Sequence, residues 1–232
     1  MRVIGRTPNK LSTLSEAMAV IKGLAEGREV DYRGTKQQFP WCHGGELKVL
    51  MAAYGPKALH LCGSETDGFI LQLADPQIAE WTIAAVRRAA ADAGRDPDSL
   101  YICIAAPAYV GDDIAHQRDE CRWFGGMVGN HVADLVERYG DAGDAVPAEL
   151  TDYIKGRRGY DYSGHGKAGH EHTDFVPDEI IDRFCILGDE AAHIARLEQL
   201  RELGADQFAI YLMHDQKDET LNAYGQRIIP AL

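Results

Sequence analysis

The side chains best suited to chemistry in this 232-residue chain cluster where short apolar runs stop. Ala53-Tyr54-Gly55-Pro56-Lys57 follows one such run and opens a helix. Glycine lets the backbone approach a ligand closely, and proline suits the first helical position, whose N–H lacks an intrahelical partner in any case. The positive end of the helix dipole, with Lys57 beside it, favours an anion such as a phosphate. Taken alone, the same Gly-Pro-Lys turn is also an ordinary helix start. His214 and Asp215 end the last apolar run and Tyr109 ends the third, so these three are the candidates for a catalytic or substrate-facing role. The Tyr54 ring could lie against a bound ring or substrate.

A second polar concentration falls in the glycine-rich stretch 156–174. Lys155, Arg157, Arg158 and Lys167 flank Tyr160 and Tyr162 there, a local basic exception in an acidic chain. That pattern suits a lid contacting cofactor phosphate or substrate, and equally a solvated loop. His165, His170 and His172, with Glu171 and Asp174, have the spacing of metal ligands but not the rigidity, so no metal is expected. His131 suits a buried, hydrogen-bonded histidine, whereas His43, His60, His116 and His193 have the placing of surface or helix-face residues. Trp81, Trp123, Phe124 and Met127 are spaced for helix packing. No Ser-His-Asp order, paired-carboxylate spacing, phosphate-binding Walker loop or G-x-G-x-x-G is present.

Composition narrows the class. Hydrophobic residues at 45% and charged residues at 26% suit a globular chain with a sizeable core, not a disordered or collagen-like one. A formal charge of -12 repels phosphate backbones, which argues against broad nucleic-acid binding. Five cysteines with no C-x-x-C pair argue for reduced thiols and a cytoplasmic setting. No signal-peptide core opens the chain and no run is long enough to span a bilayer, so no membrane partner is expected.

These residues need elements to hold them. Thr13 and Glu16 form a capping-box pattern at the start of a helix that Gly27 ends. A loop follows, with a short strand near residues 30–32. Apolar runs at 47–53, 67–73, 101–110 and 207–213 read as strands, alternating with helices from Lys57, Pro76, Asp113, about Ala192 and Asp218. Strands apolar on both faces and separated by helices predict a parallel α/β fold. Nearly a hundred residues separate the third and fourth strands, far more than one crossover needs.

Three stretches, read with Ala52-Ala53-Tyr54-Gly55-Pro56-Lys57-Ala58 and Asp67-Gly68-Phe69-Ile70, carry a resemblance: residues 105–110, 123–131 and 209–215. Together they resemble the bacterial luciferase-like superfamily, in its branch of oxidoreductases using the deazaflavin coenzyme F-420. The resemblance runs essentially end to end and implies a parallel (β/α)8 barrel, of which this chain would be the second half. It implies a single domain over 1–232: helix and loop to 46, three β/α strands over 47–110, a helical insertion with the Gly/His-rich loop over 111–206, and the last strand and helix over 207–232. Four strands cannot close a barrel, so an absent N-terminal half is expected to supply the other face of the site. The implied activity is hydride transfer between reduced F-420 and a small organic substrate. An FMN-dependent monooxygenase and a non-catalytic fragment that dimerises are the alternatives. Ala53 to Lys57 would hold the cofactor phosphate, and a homodimer is expected from the superfamily's habit.

Overall fold

In the computed structural model, residues 7, 9–139 and 176–232 are described, with 130–139 described by backbone alone. The chain divides into two units: residues 1–69 with 85–101, and residues 70–84 with 102–232.

In the first unit, helix α1 (Leu11–Ala25) begins two residues before the expected cap. The Lys10 carbonyl accepts the N–H groups of Thr13 and Leu14 at 3.0 and 3.2 Å, and no side chain caps the end. Thr13 is therefore a helical residue, because Leu11 and Ser12 already continue the helix toward the N-terminus. Gly27 does end it as expected. Its φ of +75° lets the Arg28 N–H reach the Gly23 carbonyl at 2.9 Å.

Strands β1 (Val30–Tyr32) and β2 (Thr35–Gln37) make an antiparallel hairpin. Arg33 and Gly34 turn it with φ of 54° and 77°, the pair of positive angles a tight two-residue hairpin requires. The exposed Thr-Lys-Gln of β2 has no apolar alternation and so carries no strand signal.

Strand β3 (Leu50–Ala52) leads into helix α2 (Pro56–Glu65), followed by β4 (Gly68–Leu71). The Asp67 N–H bonds the Val49 carbonyl at 2.9 Å, and the Tyr101 N–H bonds the Asp67 carbonyl at 3.0 Å. Asp67 also ties in α1: Lys22 pairs with it at 2.8 Å while its Oδ2 accepts the Val49 N–H at 2.9 Å. Burial pushes its carboxyl up, but these partners outweigh that and hold it below the usual range. Helix α3 (Pro76–Asp92) begins in the second unit and enters the first. Gly63 of α2 packs so closely on α3 that a Cβ there would meet the Val86 carbonyl oxygen at 2.1 Å.

The second unit is built on β5 (Tyr101–Val110), whose residues 102 to 109 are all buried. Two of its partners are parallel: β7 (Gln207–Tyr211) along Cys103 to Pro107, and β6 (Ile186–Gly188) along Ala108 to Val110. Pro107, with no N–H to give a ladder, stands where the pairing passes from β7 to β6. Strand β6 lies in a span expected to be helical; three residues are too few to register as a strand in sequence.

Helices α4 (Ile114–Tyr139), α5 (Asp178–Phe184), α6 (Glu190–Glu202) and α7 (Lys217–Ala223) complete this unit, with a π-helical turn at Tyr224–Ile228. Ile102, Ile104, Phe124, Ile181, Phe184, Ile186, Leu200 and Ile228 form its dry core. Trp123 and Phe124 are buried as their spacing implied. Asp75, 1% exposed, caps α3 by accepting the Ile78 N–H at 2.9 Å and pairs with Arg183. Four of the five cysteines are buried, and all five are free thiols. No described helix is long and apolar enough to cross a membrane.

The close approach of α2 and α3 gives a direct test. Gly63→Ala must displace the Val86 backbone or tilt α2, and is expected to cost about 1–3 kcal/mol. Urea unfolding with an unchanged midpoint would contradict that packing.

Candidate functional site

The 53–57 turn follows the C-terminal end of β3. Ala53 is buried, Tyr54, Gly55 and Pro56 are half-buried and Lys57 is exposed. Gly55 is the cap, with ordinary extended angles (φ -86°, ψ 153°), so its value lies in small size and not in a left-handed bend. Pro56 occupies the first turn, and the first helical bond runs from the Leu59 N–H to the Gly55 carbonyl at 2.8 Å. The amides of Lys57 and Ala58 precede that bond. No acidic residue stands in the first turn of α2 to compete with an anion.

In the second unit the ends of β5 and β7 gather a denser polar group. The Tyr109 hydroxyl donates to Asp215 Oδ1 at 2.9 Å, and its ring stacks on His214 with centroids 4.3 Å apart. His116 of α4 meets the other oxygen of Asp215 at 2.9 Å. The Asp215 N–H in turn reaches Glu120 Oε2 at 3.1 Å. All three expected residues, Tyr109, His214 and Asp215, thus come together. Arg157, Arg158 and Lys167, like Lys155 and the three loop histidines, lie outside the described residues, as does the side chain of His131.

Two buried histidines finish the end of β5. His214 Nε2 donates to the Ala108 carbonyl at 2.9 Å, and His193 Nε2 sits 3.0 Å from the next carbonyl, that of Tyr109. With a proton on Nε2, His193 Nδ1 accepts the Tyr224 hydroxyl at 2.9 Å. His193 is therefore not the surface residue expected: it is fully buried. Its spacing with Leu197 and Leu200, also buried on α6, is the helical signal that could have located it. His43, His60 and His116 are exposed, as read from the sequence.

Electrostatics separates these histidines. Burial pushes the His193 imidazole down to about 4, and burial also lowers His214, so both rings are neutral near pH 7. The hydrogen bond to Asp215 outweighs burial at His116 and raises it. The Asp215 carboxyl is held below its usual range by His116 first and Tyr109 second. Burial, then the bond to Asp215, pushes the Tyr109 hydroxyl well above its ordinary value. The cluster therefore favours the protonated form of His116 more than water does, while Tyr109 stays a neutral donor to Asp215. Beside it, Val110, Gly111 and Asp112 with Asp189, Glu190 and Ala191 line an acidic recess of about 380 Å³.

The chain belongs to the luciferase-like monooxygenase family, whose pattern matches residues 4–207. It is 26% identical to the 5,10-methylenetetrahydromethanopterin reductase of Methanolobus tindarius over 225 residues, 94% of this chain and 66% of that protein. An F-420-dependent hydroxymycolic acid dehydrogenase of Mycobacterium tuberculosis is 32% identical over 231 residues, 94% of this chain and 53% of its own. The solved coenzyme F-420-dependent tetrahydromethanopterin reductase of Methanopyrus kandleri matches with a TM-score of 0.66 at 20% identity, covering 94% of this chain and 62% of that one. The likeness to that structure is one of fold: the α/β, parallel-strand architecture of the luciferase-like barrels. The chain thus spans between about half and two-thirds of these proteins.

The buried His193 sets a pH dependence. Its folded value near 4 lies below the unfolded value of about 6.5, so the unfolded chain binds the extra proton between them and stability falls on acidification through that window. Between about pH 7 and pH 5 this amounts to about 2 kcal/mol. His193→Gln should shrink the acid loss by about that amount in urea titrations; parallel losses would contradict a neutral buried imidazole.

Proposed function

We propose that the protein is an F-420-dependent oxidoreductase acting on a small organic substrate, and that Ala53, Tyr54, Gly55, Pro56 and Lys57 hold the phosphate end of the cofactor. The observation that carries the cofactor site is the start of α2. It is half-exposed, opened by proline, free of acidic residues in its first turn and flanked by the exposed Lys57. A phosphate fits such a helix start, whereas the acidic recess beside β5 repels one. Relatives named for F-420-dependent reduction and dehydrogenation support the choice of deazaflavin over FMN.

When bound, the reduced deazaflavin supplies the hydride. The chain's own residues bind and orient. The Lys57 and Ala58 amides and the Lys57 ammonium meet the phosphate, and Tyr54 borders the turn. Tyr109, its hydroxyl proton donated to Asp215, presents a neutral ring at the end of β5. His214, bonded through Nε2, keeps Nδ1 as a buried acceptor without a partner among the described residues. That acceptor suits a hydroxyl or N–H of the substrate. His116 holds a proton at Nε2 against Asp215.

Equilibrium dialysis of the chain against F-420 and against FMN tests this reading. Saturable uptake of F-420 is expected, with Lys57→Ala weakening it about fivefold, the worth of one charge-assisted contact. Uptake of FMN alone, or F-420 binding indifferent to Lys57, would overturn it.

A further inference from the structure

We propose that His116, Glu120 and Asp215 form a binding site for one divalent transition-metal ion of the zinc and cobalt class. One ligand atom from each residue lies within 4.8 Å of the others, a spread that a single ion can draw together. His116 and Glu120 stand one turn apart on α4, so they share a face. Asp215 comes from the segment between β7 and α7. Imidazole nitrogen with two carboxylate oxygens suits zinc-class ions, whereas an all-oxygen set would suit magnesium or calcium.

Asp215 is already oriented from outside the cluster, and Glu120 from within it. The Tyr109 hydroxyl, on a side chain only 3% exposed, fixes Asp215 Oδ1 at 2.9 Å and leaves Oδ2 toward His116. Glu120 uses Oε2 to accept the Asp215 N–H, leaving its second oxygen for an ion. Outer hydrogen bonds of this kind position metal ligands. Among the described residues no lysine or arginine pairs with Glu120 or Asp215. Arg118 is engaged by Asp178 and Asp182, and Arg122 by Asp119 and Asp178. Two carboxylates therefore share one titratable imidazole as their positive partner. An entering ion replaces the proton on His116, which leaves to solvent, and water fills the remaining coordination positions. The site is independent of the cofactor assignment.

Titrating the full chain with Co²⁺ reads the site directly through ligand-field absorption. One ion per chain is expected, with no thiolate charge-transfer band and no displacement by equimolar Mg²⁺. His116→Ala, Asp215→Asn and the near-isosteric Glu120→Gln should each weaken binding at least about tenfold. His60→Ala, an exposed histidine on α2, should leave binding unchanged. Circular dichroism confirms that each variant is folded. No binding, binding equal in the three ligand variants, or a thiolate band would overturn the proposal.

Discussion

A parallel strand buried along eight consecutive residues cannot carry its own chemistry, and this is the constraint behind the second unit. From Ile102 to Tyr109 every side chain of β5 is in the dry interior. Polar function is thereby confined to where the strand stops. The strand end must also satisfy its backbone, since an unmade buried hydrogen bond costs about 1–3 kcal/mol. His214 and His193 do so, bonding the successive carbonyls of Ala108 and Tyr109.

That structural duty has a chemical consequence. A histidine held through Nε2 in a buried place stays neutral, and His214 then offers its other nitrogen as a lone pair. Asp215 and His116, nearer solvent, hydrogen-bond to each other. The same few residues thus place a neutral acceptor, a neutral phenol and a histidine–carboxylate pair side by side. In the first unit the end of β3 meets its constraint differently, by opening α2 at once. There the unclosed amides of a helix start, not histidines, are the polar groups at the strand's end, and they are the ones proposed to receive the cofactor phosphate.

Much of this was legible in the sequence. The apolar run of β5 is continuous over ten residues, and its bounds matched the structure to the residue. Pro56 marked a helix start because its ring fixes φ, and Gly27 marked a helix end because glycine accepts the positive φ, here 75°, of a C-terminal cap. Tyr109, His214 and Asp215 could be named from their position after apolar runs. What escaped depends on tertiary context. The three-residue β6 exists because β5 offers it an edge, and β2 because a tight turn folds it back on β1. His193 owes its burial to Tyr224 and to a strand carbonyl more than eighty positions away. Glu120 joins Asp215 across 95 positions, a proximity no local spacing encodes.

The account rests on an anion received at the start of α2. A crystal structure of the chain grown with F-420 tests that most directly. The phosphate oxygens should lie about 3 Å from the Lys57 and Ala58 amide nitrogens, with the Lys57 ammonium alongside. A cofactor bound with its phosphate away from this turn, and Gly55-Pro56-Lys57 in contact with solvent alone, would contradict it.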